Sequence, residues 1–415
     1  MTNLVANDFL VLLTDIFIIL LLGNLLGELA KKFNFPAIVG ELFAGIILGP
    51  TFLEKINLDL YQTLFPTSGL IFHILEFLFQ LSLILIMFTS GLEIDLRSII
   101  KQKKVTLLIT AFGIAVPFLT GMAIARVLPN FFLISDVNCS SLIFQTFMGT
   151  AFAIAALPVI AKILMDTQII QTPTGIIIIS SAVLTDVIGW FIFSFITQSQ
   201  EKPTIIAIPI MGLFFTLMIT PGNKLLHVFL KKIKNTPHWI NIILGLCLCI
   251  CLFFTILSEL LSLHSCLGAF LSGIALKDVI KNYKQVKLIL NQFISSFFSP
   301  LFFVSIGLRI NFLEDFNPFL IIIIFIFASL SKVGSVYIGA YFSGIKRKEA
   351  FIISIALNAR GAMEIVFSTI ALNLGIISKP IHIALVTMAL LTSIISGILI
   401  KKYCRTTSSA STRVQ

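Results

Sequence analysis

Long runs of apolar residues, separated by short polar stretches, occupy the chain from residue 8 to residue 402. A bilayer core about 30 Å thick is crossed by about 20 helical residues, so each run of that length predicts a transmembrane helix. Some runs are shorter, as expected where helices of a membrane protein are broken or re-entrant. The pattern predicts about thirteen spans, at 8–30, 36–53, 69–90, 104–128, 142–164, 174–197, 203–221, 238–262, 264–277, 292–308, 317–343, 348–373 and 380–402.

Lysine and arginine are unevenly distributed between alternate loops. If the N-terminus is counted as outside, the inside loops hold most of the basic residues and the outside loops hold isolated ones. Because basic residues collect on the cytoplasmic side, this asymmetry predicts an external N-terminus and a cytoplasmic C-terminus, which requires an odd number of helices. Residues 277–290 are basic and amphipathic, and we expect them to form a connector on the inner membrane surface.

The composition excludes a water-soluble protein of this size. Of the 415 residues, 58% are hydrophobic and only 12% are charged, whereas soluble domains carry about 25% charged residues. The net charge of +10 comes from the loops, so it predicts topology rather than a nucleic-acid partner. Cys247 and Cys251 share one helix face and are too few for a metal site. No catalytic set or phosphate-binding loop is present, so neither an enzyme nor a cofactor is predicted.

Among the ionisable residues within predicted spans, four stand out away from the span ends, at a depth where such groups are costly and usually functional. Asp186 and Lys332 lie near the middle of their spans, and Arg360 and Glu364 share span 348–373. A carboxylate at this depth can hold a dehydrated monovalent cation or a proton, but the two charges compete for one anion. That competition is the chemical basis of an antiporter. The alternative interpretation is a structural Asp–Lys ion pair without a transport role.

Two spans carry features that break helices. Span 142–164 contains Pro158, and proline removes a backbone donor from a helix. Span 348–373 contains Asn358, Arg360 and Gly361 in sequence, and unwound backbone can expose carbonyl groups and half-helix ends to an ion. Because one break falls in each half of the chain, the pattern predicts inverted repeats. The expected divisions are a first repeat over about 8–197, a linker helix at 203–221, a second repeat over 238–402 and a cytoplasmic tail at 403–415.

Seven segments, in order, resemble the second cation:proton antiporter family. That family contains bacterial sodium/proton and potassium/proton antiporters and plant cation/proton exchangers. The resemblance covers nearly the whole chain. The segments are PAIVGELFAGIILGP (36–50), FTSGLEIDL (88–96), GTAFAIAALPVIAKIL (149–164), SSAVLTDVIGW (180–190), SELLSLHSCLGAFLSGIAL (258–276), SPLFFVSIGLRIN (299–311) and LNARGAMEIVFSTIALNLGIIS (357–378).

The resemblance implies an all-α polytopic membrane protein with the sodium/proton antiporter-like fold: two inverted repeats and two broken, crossing helices. It implies a homodimer whose core domain moves against a dimerisation domain. Asp186 matches the ion- and proton-carrying aspartate, and Lys332 matches the basic residue that pairs with it. Thr150 lies in the broken-helix stretch beside the ion site. Arg360 and Glu364, with Asn358 beside them, match the charged cluster of the second broken helix.

Two positions depart from the family pattern. Electrogenic members usually carry two adjacent acids on this helix and electroneutral members carry Asn–Asp, but here Thr185 precedes Asp186. A single carboxylate favours exchange of one cation for one proton, which is electroneutral. Some relatives also carry an acid after the Arg–Gly of the second broken helix, where this chain has Ala362.

The leading hypothesis is therefore a secondary antiporter in which Na⁺ or K⁺ and H⁺ take turns on Asp186, with Lys332 compensating the charge. Thr150 and Thr185 would complete the site, and membrane lipid would surround the protein. A bacterial inner membrane is the expected location, with a plastid or other organelle membrane as the alternative. Two rival functions stay open: a sodium-coupled organic-anion symporter that uses Arg360, and a channel or membrane sensor without exchange.

Overall fold

The structure is a computed structural model that describes residues 6–33, 35–66, 68–93, 103–127, 142–167, 169–198, 212–213, 216, 238–261 and 264–411. All regular secondary structure in these residues is helical. Nine of the described helices are long and apolar enough to cross a membrane, judged by length and composition. These observations confirm the predicted all-α, multi-pass membrane protein.

The described helices coincide with the predicted apolar spans, except for one span that is almost wholly undescribed. The predicted linker helix at 203–221 lies almost wholly outside the described residues. The chain divides into two compact units, and each unit combines a segment from the first half of the chain with one from the second half. Unit 1 comprises Met1–Ile94 and Lys202–Glu314, and unit 2 comprises Asp95–Glu201 and Asp315–Gln415.

Unit 1 is built from long apolar helices with short helices between them. Close approaches between its helices depend on glycine pairs. A Cβ on Gly45 would lie 2.7 Å from the Cα of Gly307, and a Cβ on Gly91 would lie 3.0 Å from the Cα of Gly273. Glycine at these positions therefore lets the paired helices approach closely. The helices are α1 (Ala6–Lys32), α2 (Ala37–Leu48), α3 (Leu53–Ile56), α4 (Leu58–Leu64), α5 (Leu70–Glu93), α10 (Trp239–Leu260), α11 (Ser265–Ile280), α12 (Lys284–Phe293) and α13 (Ser299–Gly307).

The basic stretch 277–290 differs from the expected connector. Helix α11 continues to Ile280, and α12 begins after a turn of three residues. Helix α12 then runs through a π-helical turn, Ile294–Phe298, directly into α13. Its apolar positions Val286 and Leu290 are buried within unit 1, so one face of the stretch packs against the unit. The second half of the predicted connector is therefore the first part of a long, interrupted helix.

Unit 2 contains both broken helices. In each half of the chain a long helix is followed by a broken helix and then by another long helix. The last helix continues to Ser411, so residues 403–411 of the expected tail are helical. The helices are α6 (Lys103–Val127), α7 (Leu142–Ala153), α8 (Leu157–Asp166), α9 (Pro173–Gln198), α14 (Pro318–Phe342), α15 (Arg347–Leu357), α16 (Ala362–Asn373) and α17 (Lys379–Ser411).

Aromatic packing joins α9 to α16, the second half of the second broken helix. The ring of Phe367 on α16 stacks on Phe193 of α9 with a centroid distance of 4.4 Å and an interplanar angle of 13°. Trp190 meets the same ring edge-on at 4.4 Å. All three side chains are buried. Such geometry adds to the apolar burial that holds α9 against α16, and α9 is the helix that carries Asp186.

Candidate functional site

The first broken helix is interrupted at residues 154–156. Helix α7 ends at Ala153 and α8 begins at Leu157. Pro158, which the sequence analysis placed at the break, instead occupies the second position of α8. Proline suits the first turn of a helix because no intrahelical partner is needed for its missing N–H. Pro158 therefore lies in the first turn of the second half-helix, and the unwound residues precede that half-helix.

The second broken helix is interrupted at residues 358–361, where the sequence analysis expected it. The backbone N–H of Ala156 in the first break donates to the carbonyl of Ala359 in the second, at 3.1 Å. The two breaks therefore meet, and the predicted crossing of the broken helices is confirmed. Gly361 is required by close packing, because a Cβ there would lie 2.7 Å from Cγ2 of Val159.

The carboxyl end of α7 presents the carbonyl groups of residues 150–153, which the helix itself leaves without partners. The backbone N–H of residue 154 donates to the first of them at 3.1 Å. The Arg360 guanidinium donates to the next two, and the Lys332 ammonium donates to the last. All four carbonyls are thus satisfied, and two cations lie at the negative end of the helix dipole.

Lys332 is almost completely buried, with 1% of its surface exposed. Its ammonium also donates to the carbonyl of Gly113 on α6, at 2.8 Å. That carbonyl lies four residues before Pro117, which stands inside α6 and has no N–H to donate back to it. Proline therefore frees an acceptor, and Lys332 uses it. The ammonium is held between two helices by backbone carbonyls.

Arg360 and Glu364 form a buried ion pair across one turn. Nη1 of Arg360 lies 3.2 Å from Oε1 of Glu364, and both side chains are 1% exposed. The second carboxylate oxygen of Glu364 and the amide oxygen of Asn358 have no hydrogen-bond partner among the described residues. The predicted cluster of the second broken helix therefore exists as a contact between Arg360 and Glu364, with Asn358 buried beside it in the break.

Asp186 lies on α9 with only 2% of its surface exposed. Within the described part of the chain, neither carboxylate oxygen accepts a hydrogen bond of ordinary geometry. The backbone N–H of Leu157, the first residue of α8, lies close enough to interact with the carboxylate, and Lys332 acts on it electrostatically. Asp186 and Lys332 nevertheless form no ion pair within 4.0 Å. The direct pairing suggested by the sequence is absent in this state, because Lys332 is engaged by carbonyls.

Thr150 and Thr185 are buried, and each hydroxyl donates to a carbonyl one turn earlier in its own helix. Thr150 donates to Thr146 and Thr185 donates to Ser181, both at 2.8 Å. Because each proton is used in this bond, the hydroxyl oxygens keep lone pairs that a cation can use. The structure thus places both side chains inside unit 2 without giving either a hydrogen bond to Asp186.

Three residues were not identified from the sequence. Pro117 frees the carbonyl that Lys332 uses, and a proline inside a predicted span signals such an acceptor four residues earlier. The hydroxyl of Ser393 on α17 donates to the carbonyl of Arg360, and no local pattern marks that serine. Asp15 is a buried carboxylate in α1 of unit 1, without hydrogen-bond partners among the described residues. The rule that selected Asp186 would also have selected Asp15.

Comparison with known proteins places this arrangement in a family. The family described as sodium/hydrogen exchanger, transmembrane, matches residues 16–406. The chain belongs to the sodium/hydrogen exchanger family. The exchanger resembles a Na⁺/H⁺ antiporter of Synechocystis with 28% identity, covering 96% of this chain and 98% of the relative. It resembles a Na⁺/H⁺ antiporter of Enterococcus hirae with 25% identity, covering 94% and 97%.

A longer relative and a solved structure extend the comparison. A K⁺/H⁺ antiporter of Saccharomyces cerevisiae is 27% identical over 91% of this chain, but the exchanger spans only 45% of that relative. A sodium proton antiporter from Methanocaldococcus jannaschii, solved at pH 8, superposes with a TM-score of 0.62 at 15% identity, covering 96% and 98% of the two chains. The latter likeness confirms the predicted sodium/proton antiporter-like fold.

Proposed function

We propose that this exchanger-family member is a secondary antiporter that carries a monovalent cation, Na⁺ or K⁺, against protons by alternating access. The observation that carries the proposal is the setting of Asp186: a buried carboxylate whose two oxygens have no hydrogen-bond donor of ordinary geometry among the described residues, and which lies beside the first break, near the Leu157 N–H and under the electrostatic influence of Lys332. A carboxylate left in this state in a membrane protein is costly. A proton or a dehydrated cation would each remove that cost, and one carboxylate cannot hold both well.

Lys332 would compensate the negative charge when Asp186 carries neither ligand. The carbonyls of Gly113 and Ala153 hold the ammonium, so its charge stays beside the carboxylate without a direct ion pair. A cation that binds Asp186 therefore does not have to displace Lys332 from the carboxylate. The first-turn N–H of Leu157 adds the positive end of the α8 dipole. These groups would let Asp186 exchange its ligand without large rearrangement of the charges around it.

The oxygens of Thr150 and Thr185 would supply neutral ligands for the cation. Each hydroxyl already donates within its own helix, so its oxygen can face a cation without losing that bond. Since Thr185 replaces a second acid beside Asp186, one carboxylate serves one cation or one proton. This supports electroneutral, one-for-one exchange.

The relatives support the same function, and they leave the cation open. Two relatives of similar length are named Na⁺/H⁺ antiporters, whereas the longer yeast relative is named a K⁺/H⁺ antiporter. The symporter alternative depends on Arg360 to bind an organic anion, and the surroundings of Arg360 argue against that role. Arg360 is fully buried, and its guanidinium is engaged by two carbonyls and Glu364, which leaves poor access for an organic anion.

Several features of the proposal rest on the sequence and the family resemblance. They are an external N-terminus and cytoplasmic C-terminus, a bacterial inner membrane, and a homodimer. The inverted repeats over about 8–197 and 238–402, joined by the linker at 203–221, belong to the same proposal. The repeated order of long, broken and long helices in unit 2 supports that division.

The test is cation-driven proton movement in sealed proteoliposomes. Na⁺, K⁺ and Li⁺ are added in turn, and a trapped pH-sensitive dye reports the proton flux. We expect wild-type protein to respond to at least one cation and Asp186→Asn to lose about 100-fold or more of that rate, because the amide keeps the shape but carries no charge.

Asp15→Asn is the matched control, since Asp15 is also a buried carboxylate without hydrogen-bond partners in the described residues, but in unit 1. We expect it to keep exchange within about threefold of wild type. Folded, correctly inserted wild-type protein that moves no protons with any cation between about pH 6 and 9 would contradict the proposal. Equal losses in both variants would show that Asp186 has no special role.

A further inference from the structure

A second site lies in unit 1 and shares no residue with the site described above. At one end of α11 and α12 there is a pocket of about 460 Å³, within the range of about 300–1,000 Å³ typical of small-molecule sites. The turn between the two helices forms part of its rim. The lining residues used below are Lys277, Lys281, Lys284, Lys287, Leu288 and Asn291.

The pocket is strongly basic. Four of the nine described residues that line it are lysines, and none of those nine is acidic. The Lys277 ammonium donates to the backbone carbonyl of Glu93 at 3.0 Å, and the Glu93 carboxylate acts electrostatically on Lys277 and Lys287. That carboxylate offsets only part of the positive charge. The remaining excess favours an anion with several negative oxygens, such as a phosphate group.

Besides the lysines and the amides Asn291 and Gln292, the described lining is apolar, and the adjoining surface carries exposed apolar side chains. Leu92 and Ile280 line the pocket with Leu288. Leu288 is 57% exposed, and Phe293, which follows on the same helix, is 59% exposed. A free phosphate ion has no apolar part that could cover this surface. A molecule with a phosphate at one end and acyl chains at the other would cover both parts.

One polar atom in the pocket points to the kind of head group. The side-chain oxygen of Asn291 is buried and has no donor among the described residues. It would accept a hydrogen bond from a hydroxyl group on a ligand. A glycerol head group carries such hydroxyls next to its phosphate, whereas a choline head group carries none.

We propose that this pocket binds the head group of an anionic glycerophospholipid, with the phosphate on the lysines, a head-group hydroxyl on Asn291 and the acyl chains along the apolar flank. Basic pockets between membrane helices at a membrane surface are suited to anionic lipids. This proposal gives the stretch 277–290 a specific ligand, where the sequence predicted only an amphipathic connector.

The chain supplies its own probe for the test. Trp239 lies beside Tyr283, with ring centroids 5.9 Å apart, and Tyr283 belongs to the turn between Lys281 and Lys284. The protein has two tryptophans, so Trp190→Phe leaves Trp239 as the only one. Purified protein is reconstituted in phosphatidylcholine vesicles containing increasing mole fractions of brominated phosphatidylglycerol, and quenching of Trp239 fluorescence is measured. Brominated phosphatidylcholine serves as the reference lipid.

We expect brominated phosphatidylglycerol to quench Trp239 at about tenfold lower mole fraction than brominated phosphatidylcholine. In Lys281→Gln/Lys284→Gln the preference should fall by about tenfold, because each lysine near the surface contributes to anionic-lipid binding. Lys281→Arg/Lys284→Arg should keep the preference. The matched control is Lys346→Gln/Lys348→Gln, which removes two exposed lysines from unit 2 and should change nothing.

Three outcomes would overturn the proposal. The first is equal quenching of Trp239 by both lipids in the Trp190→Phe protein. The second is a control variant that loses as much preference as the pocket variant, which would indicate general surface charge. The third is loss of the preference in millimolar inorganic phosphate as complete as that caused by the lysine substitutions, which would make free phosphate the ligand. Fluorescence needs no ion transport, so its result is independent of whether Asp186 exchanges cations for protons.

Discussion

The two broken helices of unit 2 are interrupted at equivalent places, but their exposed backbone is satisfied in different ways. In the first break, two buried cations cover the carbonyls at the end of α7. In the second break, neutral donors satisfy the carbonyls of the break itself. The N–H of Ala156 donates to the carbonyl of Ala359, and the hydroxyl of Ser393 donates to the carbonyl of Arg360. No water is available in a bilayer core to replace any of these donors.

This difference shows where the charge of the site comes from. The second break carries Arg360 in its own unwound segment and directs the guanidinium to the first break, while Lys332 approaches the same helix end from α14. The side chains that satisfy the carbonyls at the end of α7 are therefore also the positive charges that act on Asp186 and pair with Glu364. Changes at the cations should be costly for both folding and transport, whereas changes at the neutral donors should be mild.

The largest effect is expected for Arg360→Met. It removes the donors to two buried carbonyls and leaves Glu364 without its partner, and breaking a buried pair in this way costs about 3–5 kcal/mol. Thermal unfolding in detergent should show a large loss of stability. Arg360→Lys should retain only part of the stability that Arg360→Met loses, because one ammonium cannot reproduce the planar set of donors of a guanidinium.

The companion change Glu364→Gln tests whether the unpaired charge of Glu364 causes part of the stability loss in Arg360→Met. In the double variant Arg360→Met/Glu364→Gln the unpaired charge is gone, so we expect recovery of part of the lost stability relative to Arg360→Met alone. If the double variant were as unstable as the sum of the two single variants, the pairing of Arg360 with Glu364 would contribute nothing.

A smaller loss is expected for Lys332→Met, which leaves the carbonyls of Gly113 and Ala153 without their donor. Each buried acceptor left unsatisfied costs about 1–3 kcal/mol. Pro117→Ala should reduce that loss, since the new N–H can donate to Gly113 within α6. A double-mutant cycle on unfolding midpoints would measure the coupling between the two positions.

Pro318→Ala is the matched control for that cycle. Pro318 is the first residue of α14, where a missing N–H frees no acceptor, so its coupling with Lys332→Met should be near zero. Equal coupling for both prolines would show that Pro117 does not act through the carbonyl of Gly113.

The crossing itself can be tested with Gly361→Ala. The added methyl group would lie 2.7 Å from Cγ2 of Val159, and overpacking of this kind costs about 1–3 kcal/mol. Val159→Ala should relieve the clash, so the double variant should unfold at a higher temperature than Gly361→Ala alone. No rescue would mean that the cost arises elsewhere than in this contact.

Part of this arrangement could be predicted from the sequence. Apolar run length identified the membrane helices, and ionisable residues inside the runs identified Asp186, Lys332 and the Arg360–Glu364 pair, because both signals are local. The pairing of donors with acceptors could not be predicted. It depends on which helix ends meet in three dimensions, so the sequence suggested that Lys332 faces Asp186, whereas the lysine binds two carbonyls. Pro158 was misplaced for a related reason, since proline can either break a helix or begin one.

The mildest change is expected for Ser393→Ala, which removes the neutral donor from the second break. The hydroxyl of Ser393 donates to the carbonyl of Arg360, and one buried acceptor left unsatisfied costs about 1–3 kcal/mol, whereas Lys332→Met leaves two. We therefore expect a small drop in the unfolding midpoint and cation-driven proton flux within about twofold of wild type. Ser396→Ala, one turn further along α17, is the control, because its buried hydroxyl has no partner among the described residues. A loss for Ser393→Ala as large as that for Lys332→Met would break the contrast between the breaks, since a neutral donor would then matter as much as a buried cation.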